Sequence, residues 1–212
     1  MNKTIEDKLN EGRQYRNIEV RALTVSKDDS KIVEGYATTF NDPYTLYSWA
    51  DYEVREQVDV HAFDEADIGD VIMQYDHQGR VFARTSNETL RLSIDDHGLK
   101  IRADLGGTEI GRQLFEEIKG GYTSKMSFGF TVKADEKLEI KEGEKTIVLR
   151  TIKEIGKLYD VSAVSLPAND ATSISARSYG EGVIAELTED HRKAQERARR
   201  VQKIKTLLEI SK

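Results

Sequence analysis

The segment Gly120-Gly121-Tyr122-Thr123-Ser124-Lys125-Met126-Ser127-Phe128-Gly129-Phe130 follows a helical stretch and reads as a turn running into a strand. Successive side chains of an extended chain point to opposite faces, so Met126, Phe128 and Phe130 share one face and Ser127, Gly129 and Thr131 the other. The first set is core. The second puts a hydroxyl beside a residue with no side chain, which lets a large group approach Ser127. A strand that presents a nucleophile has this form, and so does an ordinary half-buried strand in which glycine marks a bulge or a close backbone approach.

Upstream, Gly106-Gly107-Thr108 caps a helix over 109–119 with Ile110, Leu114, Phe115 and Ile118 on one stripe, and Gly120-Gly121 ends it. In Val71-Ile72-Met73-Gln74-Tyr75-Asp76-His77 the odd positions share a face, so His77 stands at a strand end on a mainly apolar surface. A histidine there is a candidate for proton transfer, or makes a structural hydrogen bond. Residues 81–85, 89–94 and 99–105 are short strands, with His97 in the turn between the last two. Strands over 18–24 and 31–40 form a hairpin, Asn41-Asp42-Pro43 is a turn, 53–58 is a further strand, and 59–70 is a short helix or turn.

Downstream, 133–157 reads as a charged surface hairpin turning at Glu142-Gly143-Glu144. The apolar strand Leu158-Tyr159-Asp160-Val161-Ser162-Ala163-Val164-Ser165-Leu166 carries one carboxylate, and Asp160 needs a partner there unless it lies at a wet sheet edge. Three segments follow from this pattern: an N-terminal arm over 1–17, a main domain over 18–178, and a helical tail over 179–212. In the tail Ala194, Ala198, Val201, Ile204 and Leu208 form a narrow seam inside a basic block of Arg192, Lys193, Arg197, Arg199, Arg200, Lys203 and Lys205. Such a helix either packs on its own domain or recognises an acidic or helical partner.

The 212 residues suffice for one substantial core, and a net charge of −6 offers no general nucleic-acid footprint. Zero cysteines exclude disulfides, thiolate nucleophiles and cysteine zinc sites. No apolar run approaches membrane-spanning length and the N-terminus lacks a signal-peptide core, so a cytosolic protein is expected.

His77, Ser127 and Asp160 are a base, a hydroxyl and an acid of the types a nucleophilic triad needs. In order and spacing, four segments resemble the prohead maturation proteases of tailed bacteriophages, whose fold is similar to that of herpesvirus assemblin proteases. These are Glu34-Gly35-Tyr36-Ala37 leading to Phe40, Met73-Gln74-Tyr75-Asp76-His77, Met126-Ser127-Phe128-Gly129-Phe130, and Leu158 through Asn169. The resemblance implies a mainly β fold with a few helices, an antiparallel β-barrel of herpesvirus-protease type. It implies a serine endopeptidase with catalytic His77, Ser127 and Asp160, and no cofactor or metal. Its substrates would be scaffold or a scaffold-like extension of the capsid protein, and the chain itself, inside the assembling procapsid in the host cytoplasm. Nucleic acid and membrane are not among the implied partners, and homo-oligomerisation is left open. Relatives often carry Glu where this chain has Asp160, and Asn-His-Asp where it has Asp76-His77-Gln78. Ser124 is the fallback nucleophile. Two other readings are a non-catalytic capsid-assembly or scaffolding module, and a metal hydrolase built on His61 and His77, although no close ligand spacing is present.

Overall fold

A computed structural model of the chain describes residues 11–18, 23–26, 30–164 and 170–210. In chain order the elements are β1 (Gln14–Ile18), β2 (Thr24–Val25), β3 (Ile32–Thr39), β4 (Tyr44–Trp49), β5 (Tyr52–Val58), β6 (Ile72–Tyr75), β7 (Gln78–Arg84), β8 (Leu90–Ile94), β9 (Gly98–Asp104), α1 (Glu109–Lys119), β10 (Lys125–Glu142), β11 (Lys145–Val164) and α2 (Asp170–Ile210). The protein is mainly β, as expected.

One sheet has seven strands in the order β1-β10-β11-β5-β4, with β6 on β11 and β7 on β6; a second has four in the order β2-β3-β9-β8. The β10–β11 hairpin is the spine. Because β11 is 20 residues long, two shorter strands lie along the same edge of it: β5 beside 146–152 and β6 beside 160–163, both parallel. The expected antiparallel barrel is not confirmed. Two ladders are parallel, and among the described residues no ladder joins the two sheets into a closed cylinder.

Both sheets bury their inner faces in one core. Val33, Leu99 and Ile101 meet Met73, Met126, Phe128, Phe130 and Val161, and Leu114, Phe115 and Ile118 of α1 pack on them. The helix starts where Thr108 accepts a hydrogen bond from the Gly111 N–H at 3.1 Å, and it ends as Gly120 and Gly121 donate to Glu116 and Ile118. The 133–157 hairpin is more than a surface feature, since Ile147, Ile152 and Ile155 are buried.

Helix α2 begins at Asp170, ahead of the boundary read near 179. Val183 and Ile184 pack on Val54 and Val148, and the Tyr179 ring lies 4.2 Å from the Arg150 guanidinium. Arg192, in the basic block, is held by Glu189 and Glu196 of the same helix, so part of that charge is balanced locally. Residues 1–10 of the expected arm, the end of the motif at 165–169, and the Ile204 and Leu208 side chains of the seam lie outside what is described.

Candidate active site

Strands β10 and β11 set out a small lattice of side chains on one face. Ser127 lies opposite Ser162, and Gly129 opposite Asp160. Two residues apart on each strand, these four positions share a face, and the Ser127-to-Asp160 diagonal of such a lattice is about 7–8 Å. An imidazole with a hydrogen bond at each end spans that distance. His77 does so: Nε2 lies 2.6 Å from the Ser127 hydroxyl, and Nδ1 is hydrogen-bonded to an Asp160 carboxylate oxygen. All three groups are buried, at 0%, 0% and 1% exposure for His77, Ser127 and Asp160.

His77 reaches the lattice from a tight turn. Strand β6 ends at Tyr75, which pairs with Gln78, leaving Asp76 and His77 as the two central residues of a hairpin with φ of 47° and 58°. Both torsions are left-handed, the pattern of a type I′ turn, where Asn-Gly is the usual sequence. Holding a histidine there costs about 1–2 kcal/mol, a strain found where surrounding contacts over-determine the position. The parity argument that put His77 on the face of Tyr75 thus runs past the end of the strand. The turn, anchored by the Asp76 N–H on the Ala163 carbonyl at 3.0 Å, carries the imidazole over β11 to β10.

The family model for caudovirus prohead serine proteases matches residues 16–185, a span that includes every residue of this arrangement. The chain belongs to that family. It is a serine protease of the phage prohead, and among the described residues no helix is long and apolar enough to cross a membrane. No match was found among curated proteins or solved structures.

Further residues of this prohead protease close around the lattice. The Ser162 hydroxyl donates to the same Asp160 oxygen that faces His77, at 2.7 Å, and is itself buried. Sequence reading passed over it, although it stands two residues from Asp160 and so shares its face. Ser162→Ala is expected to lower the rate of substrate cleavage about tenfold, the scale of one hydrogen bond to a charged group, with Ser162→Thr restoring most of it; initial rates on a processed substrate measure both. Gly129 is required for space. A Cβ there would lie 2.4 Å from the second Asp160 oxygen and 2.7 Å from the Tyr15 ring. The Gly120 and Gly121 N–H groups are used in ending α1.

The N-terminal strand is the part that sequence reading missed. Polar and short, residues 14–17 read as the end of a frayed arm, yet β1 pairs with β10 so that Tyr15 faces Gly129 and Asn17 faces Ser127. The Tyr15 ring centroid is 4.4 Å from that of His77, and burial together with the Asp160 carboxylate pushes its hydroxyl up to about 12. Ser127 donates its hydroxyl to the Arg16 carbonyl oxygen at 2.9 Å. Arg16 in turn is buried against Glu56, at 2.6 Å and 3.1 Å. Glu56 also accepts from Arg150 at 2.7 Å and from Tyr44 at 2.5 Å. Burial raises the Glu56 carboxyl, but the two guanidiniums outweigh it and hold the group below the usual carboxylate range.

The other candidates lie elsewhere. His61 is exposed and paired with Asp64 at 3.0 Å. His97 sits in the β8–β9 turn, its ring edge-on to Tyr36. Ser124 precedes β10, where its carbonyl accepts the Leu23 N–H at 3.2 Å. Among the described residues, no three His, Cys, Asp or Glu side chains are grouped to hold a metal ion.

Proposed function

We propose that this protease is the maturation endopeptidase of the procapsid, with Ser127 as nucleophile, His77 as base and then acid, and Asp160 as the group that orients His77. The observation that carries the reading is the line of three side chains within hydrogen-bonding reach, from Asp160 through His77 to Ser127. Asp160 on Nδ1 fixes the tautomer in which Nε2 accepts a proton, and its charge stabilises the imidazolium that forms. Ser127 Oγ bonds to the scissile carbonyl carbon as its proton passes to Nε2. The C–N bond then breaks and the leaving amine takes that proton. Water, deprotonated by His77 in the same way, releases the acyl group and regenerates the serine. Backbone N–H donors must hold the developing oxyanion, as in any acyl transfer of this kind.

Its substrates in this reading are scaffold, or a scaffold-like extension of the capsid protein, and its own tail near 179–212, inside the assembling procapsid. The two sheets then correspond to the split wall of a barrel of herpesvirus-protease type. Co-expression with the neighbouring capsid and scaffold proteins, read by intact mass, is expected to give discrete shortened forms of at least one of them and of the protease. Assembled particles containing only full-length chains would favour a non-catalytic assembly module instead.

A further inference from the structure

A protease whose nucleophile and base are both 0% exposed does not admit a protein substrate in that state. The cover is β1. Among the described residues it is an edge strand of five residues, paired only with β10, the strand that carries Ser127. An edge of this kind is where an extended peptide adds to a sheet, with main-chain pairing for affinity and alternate side chains for selectivity. Here the chain supplies that peptide itself, and its Arg16 carbonyl oxygen is the group in contact with the nucleophile.

The contact is unproductive. Ser127 has one hydroxyl proton and two acceptors within reach, His77 Nε2 at 2.6 Å and the Arg16 carbonyl oxygen at 2.9 Å. A proton donated to the carbonyl is not donated to the base.

The Arg16 side chain shows what a replacement peptide must bring. Its guanidinium lies between both Glu56 oxygens, with Gln14 at 2.8 Å. Next to it Arg150 bridges Glu56 and Asp135. Without Arg16 this cluster retains two carboxylates against one guanidinium, a net charge of −1 in a largely buried place. Arg150 and Tyr44 still hold Glu56, so β1 can leave without stranding a carboxylate, but the remaining charge calls for a cation.

We propose that β1 is a built-in occupant of the substrate groove, and that a peptide replaces it by pairing with β10, placing an arginine or lysine side chain beside Glu56 and that residue's carbonyl against Ser127. Cleavage then falls on the carboxyl side of a basic residue, with Glu56 and Asp135 setting the preference. The residue before it packs on His77 as Tyr15 does. This rests on the reading of Ser127 as nucleophile.

The test uses the full chain and two capped peptides, Gln-Tyr-Arg-Asn-Ile and its counterpart with Leu for Arg, followed by mass spectrometry. The expected result is cleavage after Arg at least about tenfold faster than after Leu, since the Leu peptide leaves a buried charge unmatched. In Arg16→Gln the internal occupant is weakened, and the rate on the Arg peptide should rise about fivefold or more. A misfolded variant would lower the rate, so a rise is not a structural artefact, and the peptide comparison on the wild-type chain does not depend on the variant. Equal rates on the two peptides, or no rise in Arg16→Gln, overturns the proposal. So does failure to cut either peptide while co-expressed phage proteins are processed in a Ser127-dependent way, a result that leaves the protease reading intact. Processing that persists in Ser127→Ala overturns that reading and the proposal with it.

Discussion

His77→Ala is expected to lower the rate of substrate cleavage by about 10⁶, to the level given by the remaining binding groups. A serine hydroxyl is a poor nucleophile at neutral pH, and the imidazole nitrogen 2.6 Å from Ser127 Oγ is the group placed to take its proton. In the proposed mechanism the same nitrogen returns a proton to the leaving amine, so one substitution removes both halves of the proton transfer. The effect should fall mainly on kcat, because the proton transfer that is lost acts in the transition state. Single-turnover rates on a processed substrate measure it, and a thermal melt of the variant shows whether the fold is retained. A loss under about tenfold would remove His77 from the mechanism.

Asp160→Asn is expected to cost about 10⁴ in kcat with the fold retained. The side chains are nearly isosteric, so the lattice of Ser127, Gly129, Ser162 and residue 160 keeps its packing. What changes is the charge facing Nδ1. A carboxylate only accepts a hydrogen bond there, which leaves Nε2 as the basic nitrogen, whereas an amide can donate to Nδ1 and stabilise the wrong tautomer. It also brings no negative charge to the imidazolium. The short Asp160 side chain reaches His77 because it sits directly across from Gly129 and the His77 turn comes down beside it. Retained activity within tenfold of wild type would assign the third role to another residue.

Much of the site was legible because its logic is local. The alternation of Met126, Phe128 and Phe130 with Ser127 and Gly129 sets the two faces of β10 from the sequence alone, and Thr108 with Gly120 marks both ends of α1. The apolar run around Asp160 demanded a partner for the carboxylate, and His77 supplies it. What was not legible depends on distant partners. Arg16 is buried because Glu56, 40 residues away, and through it Arg150, a further 94 residues on, converge on it. A polar stretch with so few apolar residues otherwise reads as a solvated arm. The His77 turn hid for another reason, since Asp76-His77 carries no glycine or asparagine to announce left-handed torsions. The parallel ladders of β5 and β6 on β11 likewise follow from the length of β11 against its neighbours, which residue type does not encode.

The most direct test of the account is co-expression of the chain with the neighbouring capsid and scaffold proteins as wild type, Ser124→Ala and Ser127→Ala, read side by side by intact mass. The account predicts the same processed masses in wild type and Ser124→Ala, and only full-length chains in Ser127→Ala. Processed products in Ser127→Ala, or their loss in Ser124→Ala alone, would contradict it.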